Sequence, residues 1–135
     1  MIREDYIMRM IQQIGVLVAR ILNQSLSHEE MDVEFEGLTV QWTGLPASML
    51  LALSKEQVYS LFEESERMVV EKSYLMAEIY RAKGLSSESA ESKREFLENA
   101  KFFYGKCTGL VDESLQNEID SRLAEVDASI DDENG

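Results

Sequence analysis

"YLMAEIYRAKG", residues Tyr74 to Gly84, is the stretch whose reading decides the fold. Met76 and Ala77 set a large apolar residue beside a small one, Tyr80 follows three positions after Ala77, and Gly84 stands four beyond that. Side chains three and four apart share one face of a helix, so the stretch reads as an amphipathic helix rather than a strand. From Arg67 to Lys83 the core positions are Met68, Val69, Leu75, Met76, Ile79 and Tyr80, with Lys72 adding its aliphatic stem. Gly84 is expected to supply a left-handed stop.

Working outward, "LSSESAES" is a polar connection to a helix of roughly Ser89 to Lys106 that carries Phe96, Leu97, Ala100, Phe103 and Tyr104, with Cys107 just past its end. Met76, Ala77, Tyr80 and Gly84, followed by Ala100, Tyr104 and Cys107, resemble the two helices of a tetratricopeptide repeat. Small residues let two helices approach, and the aromatic rings fill the space between their axes. Two departures stand out. Ala100 lies sixteen positions past Gly84, a longer turn than the repeat has, and no second copy follows where a solenoid needs about three. The reading is a repeat-like hairpin inside a small helical domain. The resemblance implies that its first helix lines a groove, which turns Tyr74, Glu78 and Arg81 towards a partner peptide.

The amino-terminal third shows the same period. Ile7, Met10, Ile11, Ile14, Leu17, Val18, Ile21 and Leu22 form one apolar face over residues 3–24, with Gly15 inside it, either tolerated or marking a close backbone neighbour. "LSHEEM" then pairs Ser27 as N-cap with Glu30 three residues on, a capping box that starts a helix at His28. Met31, Phe35, Leu38, Trp42 and Leu45 continue it, although Leu38, Val40 and Trp42 also alternate as a strand would. Gly44 ends that element and Pro46 opens a short helix to about Leu53. Ser54 and Gln57 start another, whose inward residues are Val58, Leu61 and Phe62, and "EESER" bends or breaks it before Met68. A last helix from about Asp112 to Val126 carries Leu115, Ile119, Leu123 and Val126. The expected architecture is all-α: five to six helices in antiparallel hairpins, one domain over residues 1–126, and an acidic disordered tail over 127–135.

Charge narrows the partners. Among 135 residues there are 26 carboxylates against 13 Lys and Arg, a formal net charge of −13. Five carboxylates and no base lie between Glu29 and Glu36, and nine carboxylates accompany the single Arg122 between Asp112 and Glu133. Binding nucleic acid or an anionic membrane depends on Lys and Arg meeting phosphate or lipid charge, so neither is an expected partner. The lone Cys107 cannot close an internal disulfide, and "MIREDYIMRM" sets Glu4 and Asp5 directly after Arg3 where a secretory signal needs an apolar run. A cytoplasmic location follows as an expectation.

"MIREDYIMRMIQQIG" with "ARIL", then "LPASMLLALS" and the hairpin above, resembles a bacterial family of small acidic helical proteins known only as a domain of unknown function. "REDYI" is its most distinctive part. The resemblance implies a helical fold and supplies no activity or catalytic residue.

No motif carries chemistry. His28, the sole histidine, has no second imidazole for zinc and no nucleophile at matched spacing. The carboxylate clusters lack the alternating donor loop of a calcium site, and no Glu-x-x-His pair recurs as a di-iron bundle needs. The expectation is a non-enzymatic protein-protein interaction module without cofactor or metal, contacting a partner through Tyr74, Glu78 and Arg81. Ile7, Ile14 and Ile21 at heptad spacing, with Met10 and Leu17 between them, offer an alternative: a homodimer through the helix of residues 3–24. A carboxylate-based enzyme is the further alternative.

Overall fold

A computed structural model describes the backbone of residues 2–23 and 26–134, with side chains at all of these positions except 2–8, 11, 22, 133 and 134. The described residues form seven α-helices and no strand: α1 (Ile2–Leu22), α2 (His28–Thr43), α3 (Ala47–Ala52), α4 (Lys55–Ser65), α5 (Val69–Leu85), α6 (Ala90–Cys107) and α7 (Glu113–Asn134). None of them is long and apolar enough to cross a membrane. The chain divides into two compact units, residues 1–54 and 55–135.

In the first unit the Ser27 hydroxyl accepts from the Glu30 amide at 3.2 Å while Glu30 Oε1 accepts from the Ser27 amide at 3.1 Å. Two donors that a helix start leaves open are thereby satisfied. The helical reading of residues 28–43 holds throughout, despite the alternation at Leu38, Val40 and Trp42. Gly44 ends α2 with φ of 78°, a conformation costly for any residue with a Cβ. α1 and α2 run antiparallel: the Trp42 indole N–H donates to Gln13 Oε1 at 2.8 Å near one end, and Arg20 lies 3.7 Å from Glu34 near the other. Met10, Ile14, Leu17 and Ile21 are buried, as are Met31, Phe35, Leu38, Ala47 and Leu50. The side chains of Ile7, Ile11 and Leu22 lie outside the described residues. A Cβ on Gly15 would meet nothing within 4 Å, so this glycine is a tolerated helix residue and not a point of close approach.

The second unit opens with α4, which ends at Ser65. Glu66 and Met68 both take positive φ, 55° and 51°, and the chain breaks there before α5. This break, together with the short α3, raises the number of helices to seven. α5 and α6 then form an antiparallel hairpin. Tyr74 meets Tyr104 edge to face at 6.3 Å between centroids, and Tyr80 stacks on Phe103 at 5.7 Å. At the far end of the hairpin Gly84 faces Leu97, and here the sequence expectation is corrected. Gly84 lies inside α5 and is not its left-handed stop. A Cβ placed on it would stand 2.8 Å from Leu97 Cδ2 and 3.3 Å from the Lys93 carbonyl oxygen. The glycine is what lets α6 pack against α5.

α7 begins where Asp112 Oδ1 accepts from the Leu115 amide at 2.8 Å. It does not stop at Val126. The helix runs on to Asn134 and buries Ile130 beside Val126, because Ile119, Val126 and Ile130 continue one face past the point where the acidic run "DDE" reads as tail.

Candidate functional site

Two places in the molecule combine residues that the fold alone does not require. The first lies where α5, α6 and α7 meet. Tyr74, Glu78 and Arg81 sit here, 3%, 2% and 2% exposed, turned into the second unit. Tyr104 of α6 donates to Glu78 Oε1 at 2.6 Å. The Arg81 guanidinium spans Glu78 Oε2 at 3.2 Å and Glu125 Oε1 of α7 at 3.1 Å. Arg122 approaches Glu78 to 3.5 Å and also pairs with Glu118 one turn back at 3.0 Å. The three residues read from the repeat register are therefore brought together, but their neighbours are the chain's own α6 and α7. A partner that touched them would first have to displace Arg122 and Glu125.

The electrostatics of the cluster follow from its burial. Burial is the main force raising the Tyr104 hydroxyl well above the ordinary tyrosine range, and the charge of Glu78 adds to it. Tyr74 is raised for the same two reasons, with Glu118 contributing. For Arg81, burial works against the charge, and Glu78, Tyr104 and Glu125 together outweigh it, so the guanidinium stays protonated. Both oxygens of Glu78 are engaged, which leaves this carboxylate holding three elements together. Cys107 is equally occupied by structure: burial first, then Glu71, pushes its thiol up to about 12, and its sulfur lies 3.4 Å from the Phe103 carbonyl oxygen. A thiol this reluctant to ionise is a poor nucleophile.

The second place is a groove of about 570 Å³ along the antiparallel pair α1 and α2. Val16, Leu17, Val33, Gly37 and Leu38 line its middle, Gln12, Gln13 and Gln41 one end, and Arg20 and Glu34 the other. Val16 is 63% and Val33 70% exposed, among the most exposed large apolar side chains described. A Cβ on Gly37 would meet nothing, so the groove has a hole at its centre. Sequence reading missed this surface because it followed the one apolar stripe on each helix that is buried. The signal was present in Val33 and Gly37, four apart on α2 and off the Met31, Phe35, Leu38 face.

His28 lies at the first turn of α2 and is exposed. Among the described residues no group of three or more His, Cys, Asp or Glu side chains is placed to hold a metal ion.

The fold and these two places define an all-helical protein of two compact units. The chain belongs to a family of unknown function, DUF6483, whose model matches residues 1–132. Comparison with curated proteins and with solved structures gives no match.

Proposed function

We propose that this chain is a non-enzymatic protein-protein interaction module and that its docking surface is the groove between α1 and α2. The observation that carries this reading is the exposure of Val16 and Val33 on either side of a central hole at Gly37. Apolar side chains held out to water across a groove lose free energy on being covered, roughly 25 cal/mol for each Å². The amides of Gln12, Gln13 and Gln41 give that groove a rim that stays hydrated or hydrogen-bonds a guest.

The two other readings find less support. Pairing of two copies through the α1 face of Met10, Ile14, Leu17 and Ile21 requires those buried side chains to leave the interior. A carboxylate enzyme needs a buried acid free to exchange protons with a substrate, whereas Glu78 is taken up by Tyr104 and Arg81.

A photoreactive amino acid placed at Val33, and for comparison at the exposed Glu95 of α6, tests the reading in the living cell. The expected result is a cross-link to a second, different polypeptide from position 33 alone. Equal yields from both positions, or none from position 33, would remove the groove as a docking surface.

A further inference from the structure

Between Pro46 and Gly84 the chain has neither glycine nor proline, and Glu63, Glu64, Glu66, Arg67 and Met68 are all good helix formers. Glu63 stands four residues before Arg67, the order in which an acid and a base support one helix, and Arg67 stands four before Glu71. By local preference residues 55–85 are a single helix. The structure breaks it between α4 and α5, at Glu66 and Met68. Their positive φ, 55° and 51°, is a conformation that glycine accepts and residues with a Cβ disfavour. α4 also ends on Glu63 and Glu64 with no base in its last turn, the wrong sign of charge for the carboxyl end of a helix.

Two sets of contacts hold the bend against that preference. The Ser65 hydroxyl donates to the Phe62 carbonyl at 2.7 Å, the place the Glu66 amide would take in a continuous helix, and that amide turns to the Glu63 carbonyl at 3.1 Å. The buried Lys72 ammonium donates to Ser65 Oγ at 3.0 Å. Positions seven apart on one helix are separated by about 10 Å along its axis, so this bond exists only in the bent chain. The second set is packing. Val58 and Phe62 of α4 are fully buried, Phe62 lies 6.4 Å from Phe103, and Tyr59 meets Phe102 edge to face at 6.2 Å. α4 is thus fixed to α6 by its side chains at the end of a strained joint.

We infer that this joint is a hinge through which two copies of the chain exchange α4. α4 and α5 straighten into one helix, and α4 docks on the α5–α6 hairpin of the other copy. The occupant is specified because the chain's own α4 already fills that surface. Each contact of Val58, Tyr59 and Phe62 is remade with the second copy, so the closed monomer and the exchanged dimer differ only at the hinge. There the dimer gains helical hydrogen bonds across residues 62–72 and releases two strained residues. It loses the Lys72 to Ser65 bond and the freedom of two separate molecules. Short hinges under strain are where such exchange begins. The inference stands apart from whatever docks on α1 and α2.

The test is size-exclusion chromatography with light scattering on the full chain, concentrated, held in mild urea and returned to buffer. Salt is kept high to screen the −13 that each copy carries. Wild type is expected to yield a monomer and a slowly exchanging dimer. Glu66→Gly with Met68→Gly relieves the strain of the bend and weakens the straight helix, so it should lower the dimer fraction about tenfold or more while raising the melting temperature of the monomer. Ser65→Ala, which removes the acceptor of Lys72, should raise the dimer fraction. Spin labels at Glu56 and Lys83 of one copy, diluted with unlabelled chain, read the hinge directly: about 40 Å in the dimer, the span of a continuous helix, and shorter in the monomer.

A chain that stays monomeric in both wild type and Ser65→Ala would overturn the inference. So would a dimer whose label distance matches that of the monomer, since its copies would lie side by side with α4 in place. A glycine double variant that dimerises as readily as wild type, or melts lower, would show that positions 66 and 68 carry no strain and would overturn it as well.

Discussion

The two hairpins of this protein, α1 with α2 and α5 with α6, are made by the same means and finished differently. In each, two antiparallel helices present an apolar face and each contains glycine. On α5, thirteen of seventeen residues are buried, among them Glu71, Glu78 and Arg81, and α7 supplies the countercharges at Glu125 and Arg122. On α2, only Met31, Phe35, Leu38 and Thr39 are buried, and Val33 and Val40 stand in water. Charge is therefore no guide to which face is inside. On α5 charges are buried because they are paired, and on α2 valines are exposed with no helix among the described residues laid over them. The α5–α6 hairpin is closed by its own chain, and the α1–α2 hairpin has the surface a closing element would use.

The largest expected consequence of that difference is at Glu78. Glu78→Ala leaves the Tyr104 hydroxyl without its acceptor and Arg81 with the half-exposed Glu125 alone. Removing one partner from a buried charge network costs about 3–5 kcal/mol, because an uncompensated charge stays inside. Urea unfolding followed by helical circular dichroism should show a loss of that order. A loss below about 1 kcal/mol would mean the cluster behaves as a solvated surface pair, and α5 would then be no more closed than α2.

Next in size is a matched pair of glycine substitutions. Gly84→Ala puts a methyl group 2.8 Å from Leu97 Cδ2, and Leu97 is fully buried, so it can yield only by moving α6. Overpacking of this kind costs about 1–3 kcal/mol and exceeds the roughly 1 kcal/mol that alanine gains over glycine in a helix. Gly37→Ala meets nothing and keeps only the gain, so it should stabilise by up to about 1 kcal/mol. Thermal melts of the two variants should move in opposite directions. Movement in the same direction would erase the distinction between a closed hairpin and an open one.

These residues also show how much of the fold is legible in the sequence. Ser27 with Glu30, Gly44, and the aromatic and small residues of α5 and α6 are local signals, each within four positions of its partner or on one helix face, and they placed the helices well. The helix ends at Gly84 and Val126 were misplaced for a related reason: a glycine and an acidic run look like stops unless one knows what packs against them. Arg81 with Glu125 joins positions 44 apart, and no spacing rule carries that information. Tyr74, Glu78 and Arg81 come as a set from the register of the repeat-like hairpin, which places them on one face of α5. Which way that face points was decided by α7, whose acidic sequence reads as solvent-facing until Arg122 and Glu125 are seen to have partners.

The smallest effect concerns the start of α2, where the open hairpin depends on its own local bonds. Ser27→Ala removes the hydroxyl that accepts from the Glu30 amide and should cost about 1 kcal/mol, a typical value for a lost cap. Its dependence on pH has a definite sign. The bond from the Ser27 backbone is the main force holding the Glu30 carboxyl below its ordinary value of 4.5, with the Ser27 side chain second, so the folded chain binds this proton less readily than the unfolded chain. A depressed carboxylate stabilises the fold fully above its unfolded pKa, and that contribution disappears as pH falls through the lower folded value. The difference in midpoint between wild type and Glu30→Gln should therefore be largest near neutrality and shrink in acid. The glutamine retains an oxygen that can accept from Ser27 and lacks only the charge. If the difference were instead constant with pH, the α2 start would owe its order to hydrogen-bond geometry alone.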